Sequence, residues 1–183
     1  AASDVYKRQK LQVLPSQKLS TMSCGQRSQV ALGLLFAQDP ELLILDDFSM
    51  GLDPGYRRLF VEYLKEYASA ENKTVFLTSH IIQDMELLID DCMIMDYGRL
   101  LLHKPVKEIM EGFRRFRFTS SADIRFGQDE GIWNCERIGN NWELYSFLPT
   151  AEVAHKLKQY GIEQFKEENL SLEDAFIGLT GKY

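Results

Sequence analysis

Cysteine is scarce in this 183-residue sequence, and the few copies form no recognisable site. The three residues, Cys24, Cys92 and Cys135, lie far apart and include no C-x-x-C pair. This spacing argues against a disulfide framework and against a zinc site. It fits a protein that works in a reducing, cytosolic compartment.

Long apolar runs are missing as well. No run approaches the roughly 18 residues that a membrane-spanning helix needs, and no signal peptide is present. We therefore expect any link to a membrane to depend on a partner protein. The net charge of −6 gives no sign of a nucleic-acid partner. The one basic cluster, Arg114, Arg115 and Arg117, we interpret as a solvated strand edge.

The sequence also has no G-x-x-x-x-G-K-S/T loop, the backbone cradle that holds nucleotide phosphates in many ATPases. It has no initiator Met, and its first nine residues are polar and without pattern. We treat residues 1–17 as an N-terminal segment, partly artefactual, that contributes nothing to the fold argument.

What is present is an alternation of helical and strand patterns. Residues 26–38 repeat apolar side chains at helical spacing, and residues 42–45 form a fully apolar run typical of a buried parallel strand. The same reasoning predicts a helix carrying Leu59, Phe60 and Leu64, and a strand over residues 73–78. It further predicts an amphipathic helix at Met85, Leu88 and Ile89, with Asp84 in its first turn, and strands at 92–95 and 99–102. Such alternation predicts a layered α/β domain with a largely parallel sheet.

After Lys104-Pro105 the pattern changes. We predict a strand at 116–119, a hairpin of 133–138 with 142–148, and a strand at 162–165. A helix capped by Thr150 and another preceded by Ser171 complete this part. The predicted organisation is the segment 1–17, an α/β region over 18–112, and a small α+β appendage over 113–183.

Two acidic residues, Asp46 and Asp47, follow the first buried strand. Ligands of α/β sheets bind at the carboxyl ends of strands, where one carboxylate can hold Mg²⁺ and the next can orient a water. A solvated acidic turn explains the pair equally well when it is taken alone.

Two further motifs have ordinary explanations in isolation. The small residues around Ser23 and Gly25 open a helix, where backbone N–H groups favour an anion, although a simple Ser N-cap is the preferred reading. His80 follows the second predicted strand and can reach the same crevice as the acids. A lone His in such a place is more often structural.

Together these motifs resemble the nucleotide-binding domain of ABC transporters in order and spacing. Met22-Ser23-Cys24-Gly25-Gln26 resembles the family signature Leu-Ser-Gly-Gly-Gln, and residues 29–46 resemble the signature helix and Walker B strand that follow it. Residues 49–53 resemble the D-loop, and His80 resembles the switch histidine. The likeness covers residues 18–111, while residues 172–176 more loosely resemble the ending of export-type subunits.

The resemblance implies a role for each residue at the strand ends. Asp46 would hold the shell of Mg²⁺, Asp47 would position the attacking water, and His80 would contact the γ-phosphate of ATP. It also implies an α/β fold, as part of a P-loop NTPase-like sheet, and ATP and Mg²⁺ as cofactors.

The signature and D-loop residues would act across a dimer. Ser23, the amide of Gly25 and Gln26 would bind ATP held by a second ABC ATPase domain, and Asp53 would work across that interface. The other implied partner is a transmembrane permease, which would keep the subunit cytoplasmic and peripheral on the inner face of the cell membrane.

The sequence departs from the family pattern at several points. The phosphate loop and the glutamine loop are both missing, so we expect the isolated chain to be inactive. Asp47 stands where the family usually has Glu, and its carboxylate is about 1.5 Å shorter in reach, so we expect slow hydrolysis. Cys24 replaces a signature glycine, and its Cβ crowds the approach to phosphate.

Three functions are consistent with these features. The leading one is the energy-coupling subunit of an exporter. A soluble ABC ATPase acting on DNA or ribosomes is disfavoured by the acidic charge and by the absence of a heptad segment before the signature. A non-catalytic remnant, serving as a regulatory or dimerisation module, is the third.

Overall fold

The computed structural model describes residues 16–48, 51–71, 73–83, 85–127 and 130–181. Contacts divide the chain into two compact units, Ala1–Leu88 and Ile89–Tyr183. The domain limits predicted above, at 17/18 and 112/113, stay predictions. None of the helices within the described ranges has the length and the apolar character needed to cross a membrane.

The first unit contains a pair of parallel strands and two long helices. Its elements are α1 (Cys24–Ala37), β1 (Leu42–Asp46), α2 (Pro54–Glu71) and β2 (Thr74–Thr78), with short 3₁₀ turns at Leu19–Thr21 and Met85–Leu87. Strands β1 and β2 pair in parallel, with Asp46 opposite Thr78 at their carboxyl ends. The predicted alternation of helix and strand is confirmed for residues 24–78.

The core of the first unit is largely aromatic. The ring of Phe36 in α1 lies 5.6 Å from Phe60, 4.9 Å from Tyr63 and 5.0 Å from Tyr67 in α2. Leu64 is fully buried. The buried stripe of α1 consists of Leu32 and Phe36, not the Val30 and Leu34 repeat of the sequence pattern.

Strand β1 is buried on one face only. Leu43 and Leu45 are buried, whereas Ile44 is 66% exposed and Leu42 is exposed too. Alternate side chains of a strand point to opposite faces, so the alternation marks a half-buried strand. The prediction of a parallel strand is confirmed, and the prediction that both faces are buried is wrong for this structure.

The predicted amphipathic helix near residue 85 is wrong. The structure has a single 3₁₀ turn, Met85–Leu87, in which only Met85 is buried and Leu87 is 71% exposed. One buried side chain cannot stabilise a longer helix, because most helical stability in proteins comes from packing an apolar face. Asp84 lies outside the described residues.

The second unit opens with a hairpin. Strands β3 (Asp91–Asp96) and β4 (Arg99–Pro105) pair antiparallel around Tyr97 and Gly98, both of which have positive φ. Two positive φ angles are the mark of the tight turns that join antiparallel strands. The expectation of a largely parallel sheet is therefore wrong here: only β1 and β2 are parallel among the described strands.

A four-stranded antiparallel sheet and three helices complete the second unit. They are α3 (Val106–Gly112), β5 (Arg114–Thr119), β6 (Ile132–Ile138), β7 (Asn141–Ser146), α4 (Thr150–Lys158), β8 (Lys166–Asn169) and α5 (Leu172–Thr180). The strand order is β6-β7-β5-β8. The α+β prediction and the hairpin of β6 with β7 agree with this architecture, whereas helix α3 was not predicted.

Two local predictions in this unit are wrong. The last strand is Lys166–Asn169 rather than 162–165, because the backbone of Lys166–Asn169 pairs with β5, while Ile162 lies in the apolar core. Thr150 is the first residue of α4 and not its cap. Pro149 precedes the helix, and the Thr150 hydroxyl donates to Glu167.

The two faces of this sheet differ in chemistry. One face forms the apolar core with α4, including Phe116, Leu144 and Leu157. The other face carries Arg115 and Arg117, which pair with Glu143 and Glu168. Strand β5 lies between β7 and β8, so the interpretation of the arginines as a solvated strand edge is wrong. Their charges are matched by acids on neighbouring strands.

Candidate functional site

The carboxyl ends of β1 and β2 bring three polar side chains together. The register places Asp46 directly opposite Thr78. The Thr78 hydroxyl donates to Asp46 Oδ1. It also accepts the backbone N–H of Asp47 at 3.0 Å, and the same N–H lies 3.1 Å from the carbonyl oxygen of Thr78. The Thr78 side chain therefore contacts both Asp46, the last residue of β1, and Asp47, the residue that follows it.

Asp47 turns the chain away from the strand. Its φ of 44° lies in the left-handed region, which costs energy for most residues but is several-fold enriched in Asp and Asn. Its carboxylate Oδ1 lies 2.8 Å from Nδ1 of His80. The Asp47 side chain is 32% exposed and that of His80 is 65% exposed, so both can reach a ligand.

The start of α1 is built by a capping box. The Ser23 hydroxyl accepts the backbone N–H of Gln26 at 3.2 Å, and the Gln26 side chain accepts the backbone N–H of Ser23 at 2.9 Å. Two otherwise unpaired backbone donors are thereby satisfied. The N-cap reading of Ser23 is confirmed, and in this conformation Gln26 serves the same cap.

Gly25 lies close to the loop that precedes α2. A Cβ at Gly25 would come within 3.3 Å of the Gly51 carbonyl oxygen, and one at Gly51 would come within 3.1 Å of Cys24 Sγ. The signature-like segment therefore contacts the first described residue of the D-loop-like segment. Ser49 and Met50 of that segment lie outside the described residues.

The Asp53 side chain also accepts hydrogen bonds within its own chain. Its carboxylate Oδ1 accepts the backbone N–H groups of Gly55 at 3.0 Å and Tyr56 at 3.1 Å. These contacts cap the start of α2, a position where an acid also interacts favourably with the helix dipole. Its second oxygen is left for other contacts.

The strand-end cluster suits a hydrated divalent cation bound together with phosphates. Within the described part of the chain, no group of three or more His, Cys, Asp or Glu side chains could hold a metal ion by itself. Mg²⁺ usually keeps several waters and takes one or two carboxylates plus substrate phosphate oxygens. Asp46, an exposed carboxylate with one oxygen held by Thr78, fits that mode.

Thr78 is the residue that sequence reasoning missed. The signal was present, since Thr78 ends the second predicted strand just as Asp46 ends the first. Only the parallel register, however, shows that the two residues are direct neighbours.

Comparison with known proteins finds similarity to ATP-binding proteins of ABC transporters. Residues 6–83 match the family model described as "AAA domain, putative AbiEii toxin, Type IV TA system", which is less than half of the chain. An uncharacterized ABC transporter ATP-binding protein of Bacillus subtilis, YhcH, is 28% identical over 90% of this chain and 55% of its own length. Nod factor export ATP-binding protein I of Rhizobium johnstonii is 29% identical over 94% of this chain and 57% of its own length.

A solved structure supports the same relationship. The protein cbiO1 of Clostridium perfringens, part of the ABC transporter complex cbiONQ, is 27% identical, with a TM-score of 0.51 over 60% of this chain and 44% of that one. This chain spans little more than half the length of the curated relatives named above. The motifs, the strand-end geometry and these likenesses together identify the chain as a relative of the ATP-binding proteins of ABC transporters.

Proposed function

We propose that this chain forms part of a subunit that hydrolyses ATP to drive transport, most simply export, through a membrane permease. The observation that carries the proposal is the cluster of Asp46, Asp47, Thr78 and His80 at the ends of two parallel strands. A complete site also needs a phosphate-binding loop, which these 183 residues lack. The activity therefore belongs to the protein or complex that supplies that loop.

Each residue of the cluster would have a separate role in hydrolysis. ATP with Mg²⁺ supplies the phosphoryl group that is transferred to water. Asp46 would bind the hydrated cation through the oxygen that Thr78 leaves open. Asp47 would accept a hydrogen bond from the attacking water and align it. His80, held at Nδ1 by Asp47, would present Nε2 to the γ-phosphate.

The start of α1 would complete a site in a second ATPase domain. Its 14-residue helix directs backbone N–H groups, including that of Gly25, towards the N-terminus, where an anion is favoured. Local caps of α1 and α2 are formed by the side chains of Ser23, Gln26 and Asp53. These caps fix the conformation of the segments that would face the partner domain. Each dimer would then carry two composite sites.

The export direction is proposed from the likeness to an export protein. The Nod factor export protein is similar over 94% of this chain, so the likeness includes the second unit as well as the motif-bearing first unit. The alternative of a non-catalytic regulatory or dimerisation module is favoured by one observation, the missing phosphate loop. A soluble ATPase acting on nucleic acid gains no support from the net charge of −6.

The test is ATP turnover by the complete protein assembled with its permease. We expect His80→Ala to lower kcat by at least about tenfold, because phosphate contacts made in the transition state act on kcat. His155→Ala, an exposed histidine in α4, is the matched control and should retain full turnover. Absence of turnover in all three proteins would favour the non-catalytic alternative, and equal measurable turnover would contradict the role assigned to His80. Uptake of substrate into inside-out vesicles, but not right-side-out ones, would support export.

A further inference from the structure

We infer that Thr78 is a positioning residue of the hydrolytic site, which sets the orientation of both Asp46 and Asp47 through its single hydroxyl. The inference rests on the proposed function and adds a residue to it. Thr78 belongs to the stretch Thr78-Ser79-His80 at the end of the second predicted strand, but the family resemblance assigns a role only to His80.

The hydrogen-bond geometry gives Thr78 two separate tasks. As a donor, its Oγ1 holds Asp46 Oδ1, so that Oδ2 would be the oxygen offered to a cation. As an acceptor, the same Oγ1 takes the N–H of Asp47 at 3.0 Å. A hydroxyl can do both at once because it has one proton and two lone pairs.

The second task matters because Asp47 is in an unfavourable backbone conformation. With φ at 44°, its backbone is outside the regions preferred by residues with a Cβ, and such conformations persist only when the surroundings fix them. Both acceptors of the Asp47 N–H belong to Thr78. Among the described residues, Thr78 therefore supplies the contacts to the backbone N–H of the turn that places the Asp47 carboxylate 2.8 Å from His80 Nδ1.

Stability alone does not explain this arrangement. Thr78, Asp46 and His80 are exposed, so water can replace each lost hydrogen bond at little cost. What water cannot replace is the fixed direction of two adjacent carboxylates. Removing partners that orient metal-binding carboxylates typically lowers metal affinity or activity by about 10- to 100-fold.

Substitutions at Thr78 separate the orienting role of its hydroxyl from the packing of its side chain. Thr78→Val keeps the branched shape and the preference for strand while removing both hydrogen bonds of the hydroxyl, and the Thr78 carbonyl still accepts the N–H of Asp47. Thr78→Ser keeps the hydroxyl and removes only the methyl group. Thr74→Val, at the other end of β2 and on the same exposed face, is the matched control.

The experiment measures binding and turnover in the complete protein with its permease. Mn²⁺ binding is followed by electron paramagnetic resonance in the presence of a non-hydrolysable ATP analogue. We expect Thr78→Val to weaken Mn²⁺ binding by about tenfold and to lower kcat by about 10- to 100-fold. We expect Thr78→Ser to stay within about threefold of the unaltered protein, and thermal unfolding of all variants to be similar.

Either of two results would overturn the inference. One is Mn²⁺ affinity and kcat in Thr78→Val that match those of Thr74→Val. The other is a Thr78→Ser protein as impaired as Thr78→Val, since that would assign the effect to the methyl group. Absence of turnover in the unaltered protein would instead overturn the proposed function, and the Mn²⁺ comparison would still decide the role of Thr78.

Discussion

Asp47 combines an unusual backbone with a short side chain. Its φ of 44° is one that Asp tolerates better than Glu does, and its carboxylate reaches His80 Nδ1 at 2.8 Å. A residue that positions water must come within about 2.6–3.2 Å of it. A carboxylate one methylene shorter than that of Glu would still accept a hydrogen bond from the water but would hold it less closely.

Asp47→Glu should therefore raise kcat in the complete protein. A gain of about tenfold or more is expected, because a misplacement of about 1 Å can cost roughly 100-fold in rate. The measurement is steady-state ATP turnover, with Asp123→Glu, an exposed acid of the second unit, as the control. An unchanged or lower kcat would show that Asp47 suits this site as it is.

Among the described acids, Glu168 is the one whose carboxyl pKa folding lowers most. Hydrogen bonds from Lys166 and Arg115 lower the pKa of its carboxyl from 4.5 to about 2. A carboxyl with a depressed pKa contributes stability above its unfolded pKa, and that contribution is lost as the pH falls towards the folded one. The window for this group therefore runs from about pH 5 down to pH 2.

Glu168→Gln should destabilise the protein at pH 7 by about 1–3 kcal/mol, as expected for hydrogen bonds to a charged group. The difference from the unaltered protein should shrink as the pH falls from 5 to 2. Urea unfolding across this range measures it, and Glu163→Gln, on an exposed loop residue, should show no such trend. A difference that is constant with pH would contradict the assigned ion pairs.

At the scale of elements, helix α5 packs against the sheet of the second unit with Gly178 at the contact. A Cβ at Gly178 would come within 2.3 Å of the Tyr145 ring, whose hydroxyl is held by Glu143 at 2.8 Å. The ring is only 5% exposed, so it has little room to move. Close packing of α5 therefore requires a residue without a side chain.

Gly178→Ala should destabilise the protein by about 1–3 kcal/mol, even though Ala is the better helix former. Gly112→Ala is the matched control at the end of α3, because its Cβ would meet Phe147 at 3.4 Å, an ordinary contact. Urea midpoints compare the two variants. If Gly178→Ala were as stable as Gly112→Ala, the contact between α5 and Tyr145 would be looser than described.

The elements also show where sequence patterns succeed and fail. Residues 42–46 and 74–78 are predictable as strands because both are short apolar runs bounded by turn residues. The 3₁₀ turn at Met85–Leu87 and the last strand at Lys166–Asn169 are not predictable in this way. Their conformation depends on tertiary contacts, which decide which side chains are buried. Lys166–Asn169 is fully polar, and it is a strand because its backbone pairs with Arg114–Arg117.

At the scale of the molecule, the motifs indicate which residues form the site. They do not indicate which contacts these residues make with one another. Asp46, Asp47 and His80 are identifiable from their places after two strands. Their connection through Thr78 needs the parallel register, which no local pattern contains. The antiparallel pairing of β3 with β4 was not predicted, although the turn at Tyr97 and Gly98 that joins them is visible in the sequence between two predicted strands.

The most direct test of the account is ATP binding and hydrolysis by Asp47→Asn in the complete protein. Asn keeps the size of Asp47 and tolerates a positive φ, but it cannot act as a carboxylate. The account predicts that ATP affinity stays within about threefold, while turnover falls by at least about 100-fold. Turnover equal to that of the unaltered protein would contradict the claim that these strand ends form the hydrolytic site.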